Sequence, residues 1–186
     1  MRALLSPVRE DPLDAASFDA VYRECVADVH AYALSLLGDR ASAEDVTALA
    51  FERLYRSRAR LDSARGTPRA WLFAIARNAA LDELRRRRRR PQPLSHDPQP
   101  RGTSAGEAEQ SQLLDLIARR ETLRDALAQL PAREREIVLL KFHGQLSNAE
   151  LARVLGITES NAGTRLHRAL EHLRECCEAA DREEVA

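Results

Sequence analysis

Apolar side chains recur at three- and four-residue steps along the first part of the chain, at Phe18, Val21, Tyr22, Cys25, Val26, Val29, Tyr32, Ala33, Leu36 and Leu37. That spacing gathers them on one face of an α-helix, and Gly38 follows as a stop. Ser42 is placed to cap a second helix, with Glu44 and Asp45 in its positive first turn and Val46, Leu49, Ala50 and Leu54 along its buried stripe. Thr67-Pro68 opens a third, because proline at the first helical position gives up an N–H that has no intrahelical partner. Trp71, Leu72, Ile75, Ala76 and Ala79 form its stripe, and Pro91 stops it after Arg90. The polar, Arg-rich stretch 57–66 before it reads as a loop.

The periodicity lapses from Pro91 to Gly106, where four prolines and two glycines mark a linker. It resumes at Leu113, Leu116, Ile117, Leu123, Leu127 and Leu130, and again in a short helix with Ile137, Val138 and Leu140 that ends near Gly144. Ser147-Asn148-Ala149-Glu150 is a capping box, with Leu151, Ala152, Val154 and Leu155 behind it. Gly156-Ile157-Thr158 then turns the chain into a longer helix lined by Ala162, Leu166, Ala169, Leu170 and Leu173. A short capped helix, a Gly-containing turn and a second helix with a polar outer face make a helix-turn-helix. The expectation is an all-α protein of two small helical lobes joined by a Pro-rich linker. Its parts are a tail over 1–13, a lobe over 14–90, a linker over 91–110, a helix-turn-helix lobe over 111–178 and a tail over 179–186, each lobe with its own core.

Composition agrees with this. Aromatic residues make up 4% of the 186 positions and Ala, Leu and Arg dominate, so a sandwich or parallel sheet has little to build from. No apolar run reaches the roughly 18 residues a membrane helix needs, and the N-terminus lacks a secretory apolar region. The expectation is a cytoplasmic protein with no membrane insertion. Three cysteines, Cys25, Cys176 and Cys177, do not suggest a disulfide framework.

The 29 basic and 29 acidic residues cancel overall but not locally. Residues 1–52 hold 4 basic and 10 acidic side chains, whereas residues 53–90 hold 13 basic and 3 acidic, including the run Arg85 to Arg90. A polyanion would meet that second field. Six adjacent like charges repel one another, so a polyanion partner is favoured over a solvated helix end in which cations merely complement the dipole. His172 and Cys176 lie one helical turn apart, but no second ligand pair is near them in sequence, so no metal or other cofactor is expected. Glu44-Asp45 is the one close acidic pair in its lobe, and a helix N-terminus with a protein contact explains it better than catalysis does.

Two stretches carry a family resemblance. Leu130-Pro131-Ala132-Arg133-Glu134-Arg135-Glu136-Ile137, Leu146-Ser147-Asn148-Ala149-Glu150-Leu151-Ala152 and Arg165-Leu166-His167-Arg168-Ala169-Leu170 resemble region 4 of the extracytoplasmic-function (ECF) subfamily of sigma-70 factors. Ala43-Glu44-Asp45-Val46 and Trp71-Leu72-Phe73-Ala74-Ile75-Ala76-Arg77-Asn78 resemble region 2 of the same subfamily. The resemblance spans about residues 17 to 175, and both motifs in this order across a linker are far more specific than either alone.

The resemblance implies a non-catalytic subunit that binds core RNA polymerase and directs it to promoter DNA. The first lobe would read the minus-10 element and help open the duplex, and the helix-turn-helix would read the minus-35 element. An anti-sigma factor would hold it inactive. The minus-35 contacts would fall on Asn161, Thr164, Arg165 and Arg168, with arginine suited to guanine and asparagine to adenine. Arg60, Arg65, Arg69, Arg77, Asn78, Arg85 and Arg86 would meet the minus-10 region and the backbone upstream, and Glu44, Asp45, Leu49 and Glu52 would meet the polymerase.

This chain departs from the family pattern at Ala48 and Leu49, where Gln and Glu are usual, and at Gly163, where lysine is common. Trp71, on the apolar stripe, is expected in the core, and Phe73, off it, to be more open to a stacked base. The alternative is a freestanding helix-turn-helix regulator, in which residues 14–90 are not needed for polymerase binding.

Overall fold

The computed structural model describes residues 15–61, 66–89 and 119–184, all helix and short turns with no strand among them. In chain order these are α1 (Ala15–Leu37), α2 (Arg40–Ser57) with a 3-10 turn after it (Arg58–Arg60), α3 (Pro68–Arg89), α4 over 119–129, α5 (Ala132–Phe142), α6 (Asn148–Leu155) and α7 (Glu159–Glu184). The linker and the positions of Leu113, Leu116 and Ile117 lie outside the described residues.

Helix ends follow local chemistry, with one correction. Gly38 closes α1 at φ +66°, but Asp39, not Ser42, caps α2. Asp39 is extended and its carboxylate accepts from the Ser42 N–H at 2.9 Å, so Ser42 lies inside the first turn. A full negative charge at the cap also meets the positive end of the helix. Thr67 caps α3 through the Ala70 N–H (3.2 Å).

The Ser147 capping box is formed, and Gly156 ends α6 in the left-handed region at φ +68°. In the α5–α6 turn a Cβ on Gly144 would stand 2.4 Å from the Leu140 carbonyl oxygen, so only glycine fits. Lys141 ties this turn by donating to the Leu146 carbonyl (2.9 Å). Arg135 donates to the Leu127 and Leu130 carbonyls at 2.7 and 3.1 Å, closing the end of α4.

α1, α2 and α3 pack as a three-helix bundle, and α5 and α6 both pack on α7. At one end of the bundle Ala33, Ala43, Ala79 and Ala80 let the helices approach closely around Leu37 and Val46. There Arg87 joins three elements, donating to the Leu37 carbonyl (2.9 Å), Asp39 (3.1 Å) and Glu83 (3.0 Å).

The expectation of two separate cores does not hold. α1 packs on α5 and α3 on α6, and a single apolar cluster runs from Val29, Tyr32, Leu72 and Phe73 into Ile137, Leu140, Leu146 and Leu151. Because α3 is covered on two sides, Phe73 is fully buried edge-on to Tyr32 (ring centroids 5.7 Å apart), contrary to the expectation that it is open. Trp71 is half-buried against the core.

The cap of α2 has a pH signature. Hydrogen bonds from Ser42, side chain and backbone, hold the Asp39 carboxyl below its usual value, helped by Arg87. A carboxyl lowered on folding contributes stability above its unfolded pKa and loses it as pH falls through the folded value. Asp39→Asn, which keeps a capping oxygen but cannot titrate, is expected to cost about 1 kcal/mol or less at neutral pH. It should also make the acid-side loss of stability shallower, as measured by denaturant melts from pH 7 downward.

Candidate nucleic-acid interface

α6 and α7 present the helix-turn-helix. Thr158 caps α7 through the Asn161 N–H (3.3 Å), directing the first turns of the helix outward. Ala162, Leu166 and Ala169 are buried, and Asn161, Thr164, Arg165 and Arg168 are exposed together on the opposite face. The Thr164 hydroxyl donates to the Ser160 carbonyl (3.0 Å), which leaves its oxygen free to accept. His167 beside them pairs with Glu171 (3.3 Å). Gly163 lies half-buried under α6, where a Cβ would meet Asn148 Nδ2 at 3.5 Å.

The arginine run is divided by the geometry of α3. Arg85 and Arg86 pair with Asp82 (2.8 Å) and Glu83 (2.7 Å) one turn back, yet stay 66% and 71% exposed. Arg87 is a structural anchor, only 21% exposed. Arg88 and Arg89 are exposed. Burial pushes the Glu83 carboxyl up, but hydrogen bonds from Arg86 and Arg87 outweigh it and hold the group below its usual range. Arg65, Arg90 and the side chain of Arg60 lie outside the described residues.

Arg69 and Arg77, expected to face nucleic acid, lie in the seam between the lobes, whereas Asn78 is exposed. Arg69 is paired with Asp28 of α1 and donates across the seam to the carbonyls of Gly144 (2.6 Å) and His143 (2.9 Å). It also lies 3.3 Å from Cys25 Sγ. Burial pushes the Cys25 thiol up and the His143 imidazole down. Arg77 is ion-paired with Glu136 of α5, Nη2 donating to Oε2 at 3.2 Å and Nε lying 2.9 Å from Oε1 without hydrogen-bond alignment, with the two side chains only 20% and 11% exposed. Thr67, the α3 cap, donates to Glu150 Oε1 (2.6 Å), while the other Glu150 oxygen serves the capping box of α6. Partial burial raises the Glu150 pKa, but these bonds outweigh it and the group ends below its usual value.

Sequence reasoning assigned no role to Glu136, Glu150 or Asp28 in joining the lobes. For Glu136 one signal existed, a charge directly preceding the apolar run Ile137 to Leu140.

On the outer face of α2, Glu44 and Glu52 are exposed and pair with Arg40 (2.9 Å) and Arg56 (2.7 Å). Asp45 is exposed and Leu49 half-buried, and both line a groove of about 270 Å³ between α2 and α3 that Arg53 and Arg86 also border. Among the described residues no three His, Cys, Asp or Glu are grouped to hold a metal ion, and His172 is bonded to Glu134 (2.9 Å). No described helix is long and apolar enough to cross a membrane.

Comparison with known proteins fits this geometry. Residues 21–90 match the family Sigma-70 region 2, and residues 120–173 match Sigma-70, region 4. The chain is 37% identical over 163 residues to the ECF RNA polymerase sigma factor SigL of Mycobacterium tuberculosis, covering 87% of this chain and 89% of that protein. It is 26% identical over 174 residues to the ECF RNA polymerase sigma factor RpoE of Cereibacter sphaeroides, covering 93% and 92%. Its fold is similar to that of RpoE in complex with the anti-sigma factor NepR from Bartonella quintana, with TM-score 0.68, 20% identity and 88% and 98% of the two chains covered. It is also similar to that of CnrH in complex with the cytosolic domain of CnrY, with TM-score 0.62, 21% identity and coverage of 89% and 90%.

Three outcomes follow from these surfaces. Arg165→Ala is expected to weaken binding to a preferred duplex by about 1–3 kcal/mol and to relax preference at one base pair, measured by selection from a randomised library. Equal loss on every sequence would mean a phosphate contact only. Arg88→Gln with Arg89→Gln should lower the slope of log affinity against log salt by about 0.9 for each phosphate contact removed. Arg87→Gln should instead lower the melting temperature.

Proposed function

Given that the chain belongs to the ECF subfamily of sigma-70 RNA polymerase sigma factors, we propose that its two lobes divide promoter recognition between them. α7 reads the minus-35 element through Asn161, Thr164 and Arg165, with Arg168 on phosphate. The basic α3 lobe engages the minus-10 element and the backbone upstream through Asn78, Arg85 and Arg86, together with Arg60 and Arg65, while Arg69 and Arg77 are occupied in the seam. The observation that carries this reading is the outward face of α7, where four side chains suited to base edges and phosphates stand together opposite a buried apolar stripe.

The polymerase docks on α2, where Asp45 and Leu49 line the groove and Glu44 and Glu52 flank them. With Ala48 exposed and Leu49 half-buried, apolar contact and Asp45 carry much of that docking. The protein acts by binding, without chemistry of its own, in the cytoplasm. The solved relatives are held by NepR and CnrY, and a comparable anti-sigma partner that grips both lobes would bind the intact chain more tightly than either half, since tethering makes its second contact intramolecular. The match over residues 21–90 favours this reading over a freestanding regulator.

Run-off transcription with purified core polymerase on genomic promoter fragments tests the proposal, with defined transcripts expected only when the protein is added. Asp45→Arg should reduce capture of core polymerase while leaving duplex binding by α7 intact. Unchanged capture would move docking away from Asp45.

A further inference from the structure

The outward face of α7 is interrupted at Gly163, between Asn161 and Thr164, where the helix offers no side chain. α6 packs against α7, and a Cβ built on Gly163 would lie 3.5 Å from Asn148 Nδ2. That separation is ordinary van der Waals contact, so alanine fits at 163 and a longer side chain would have to displace the amide. Asn148, the first residue of α6, therefore fills the space that a longer side chain at 163 would take. The first helix of a helix-turn-helix crosses the DNA backbone while the second reads the bases. Here the notch at Gly163 brings a polar group of the first helix onto the flank of the second.

The polar groups around Asn148 are already committed. Ser147 and one Glu150 oxygen hold the capping box, the other Glu150 oxygen accepts from Thr67 (2.6 Å), and the Thr164 hydroxyl donates to the Ser160 carbonyl (3.0 Å). Asn148 is exposed, and its amide is bonded to no other described residue. An amide sets a donor beside an acceptor, the pattern that matches N6 and N7 of adenine in the major groove. Its neighbours favour a base edge over phosphate. Glu150 and Glu159 stand in the first turns of α6 and α7, and their charges would repel a phosphate oxygen more strongly than a neutral base edge.

We propose that Asn148 is a specificity-determining residue of the minus-35 reader, reaching a base edge across the notch at Gly163, and that the base it selects is adenine. This rests on the reading of α7 as the minus-35 reader. Asn148 then extends the base contacts of Asn161, Thr164 and Arg165 by one base pair, on the flank where Ser160 and His167 are exposed one turn either side of Gly163.

Selection from a randomised duplex library with the full chain tests this. Asn148→Ala should cut the preference for adenine at one base pair about tenfold, at a position other than the one Arg165→Ala relaxes. The slope of log affinity against log salt should stay unchanged, since no phosphate contact is lost. Asn148→Asp, which keeps the size of the side chain and loses its donor, should move the preference at that base pair from adenine towards cytosine. Gly163→Ala should leave every preference unchanged and raise the melting temperature, because a Cβ fits and alanine favours the helix. Gly163→Leu should lose the same preference as Asn148→Ala by displacing the amide, and the two together should lose no more than either alone.

Unchanged base preferences in Asn148→Ala would overturn the proposal, and so would a loss equal on every sequence with a shallower salt slope, which marks a phosphate contact. If Arg165→Ala also leaves every preference unchanged, the reading of α7 itself fails. If Arg165→Ala relaxes its base pair while Asn148→Ala relaxes none, the role of Asn148 alone falls. Thermal melts identify a variant that fails to fold, and Asn148→Asp then decides in place of Asn148→Ala.

Discussion

Everything about this molecule's shape depends on where α3 puts its arginines. A guanidinium cannot be buried without acceptors around it, and Arg69 and Arg77 emerge where the three-helix bundle meets α5 and α6. Glu136, Asp28 and the Gly144 and His143 carbonyls supply those acceptors, and they come from both halves of the chain. Once the arginines are satisfied there, the apolar residues beside them close into one core. The glycine at 144 belongs to the same constraint, because only a residue without Cβ lets that turn approach Leu140 while offering its carbonyl to Arg69.

The helices were legible because their signals are local. Gly38, Thr67-Pro68, the Ser147 capping box and Gly156 each act within a few residues, and each stands where the sequence placed it. The cap of α2 was misplaced by three residues because Asp39 and Ser42 are both good caps, and only the backbone at Asp39 decides between them. The joining of the lobes could not be read, since it depends on partners such as Arg77 and Glu136 that are distant in sequence. Phe73 shows the same limit. A single apolar stripe describes a helix with one buried side, and α3 has two.

The same division applies to the functional surfaces. The α7 face is visible in sequence because its polar positions follow the helical period opposite a Leu and Ala stripe. The arginine run looked uniform, yet within a single turn of helix Arg87 is locked onto Leu37 and Asp39 while Arg88 and Arg89 point to solvent. Charge density therefore overstated how much of that run is free to meet a phosphate backbone. The outward face of α7 stays open while Arg69 and Arg77 of α3 are occupied in the seam.

Distance between the lobes is the most direct measure of that account. Single-molecule energy transfer between dyes on α2 at Arg56 and on α7 at His167, both exposed, should report one short distance in the free chain. A longer distance should appear when Arg69→Gln and Arg77→Gln are combined, because the seam then loses its bridging guanidiniums. An unsubstituted chain already at the long distance, or a short distance that persists in the double variant, would contradict it.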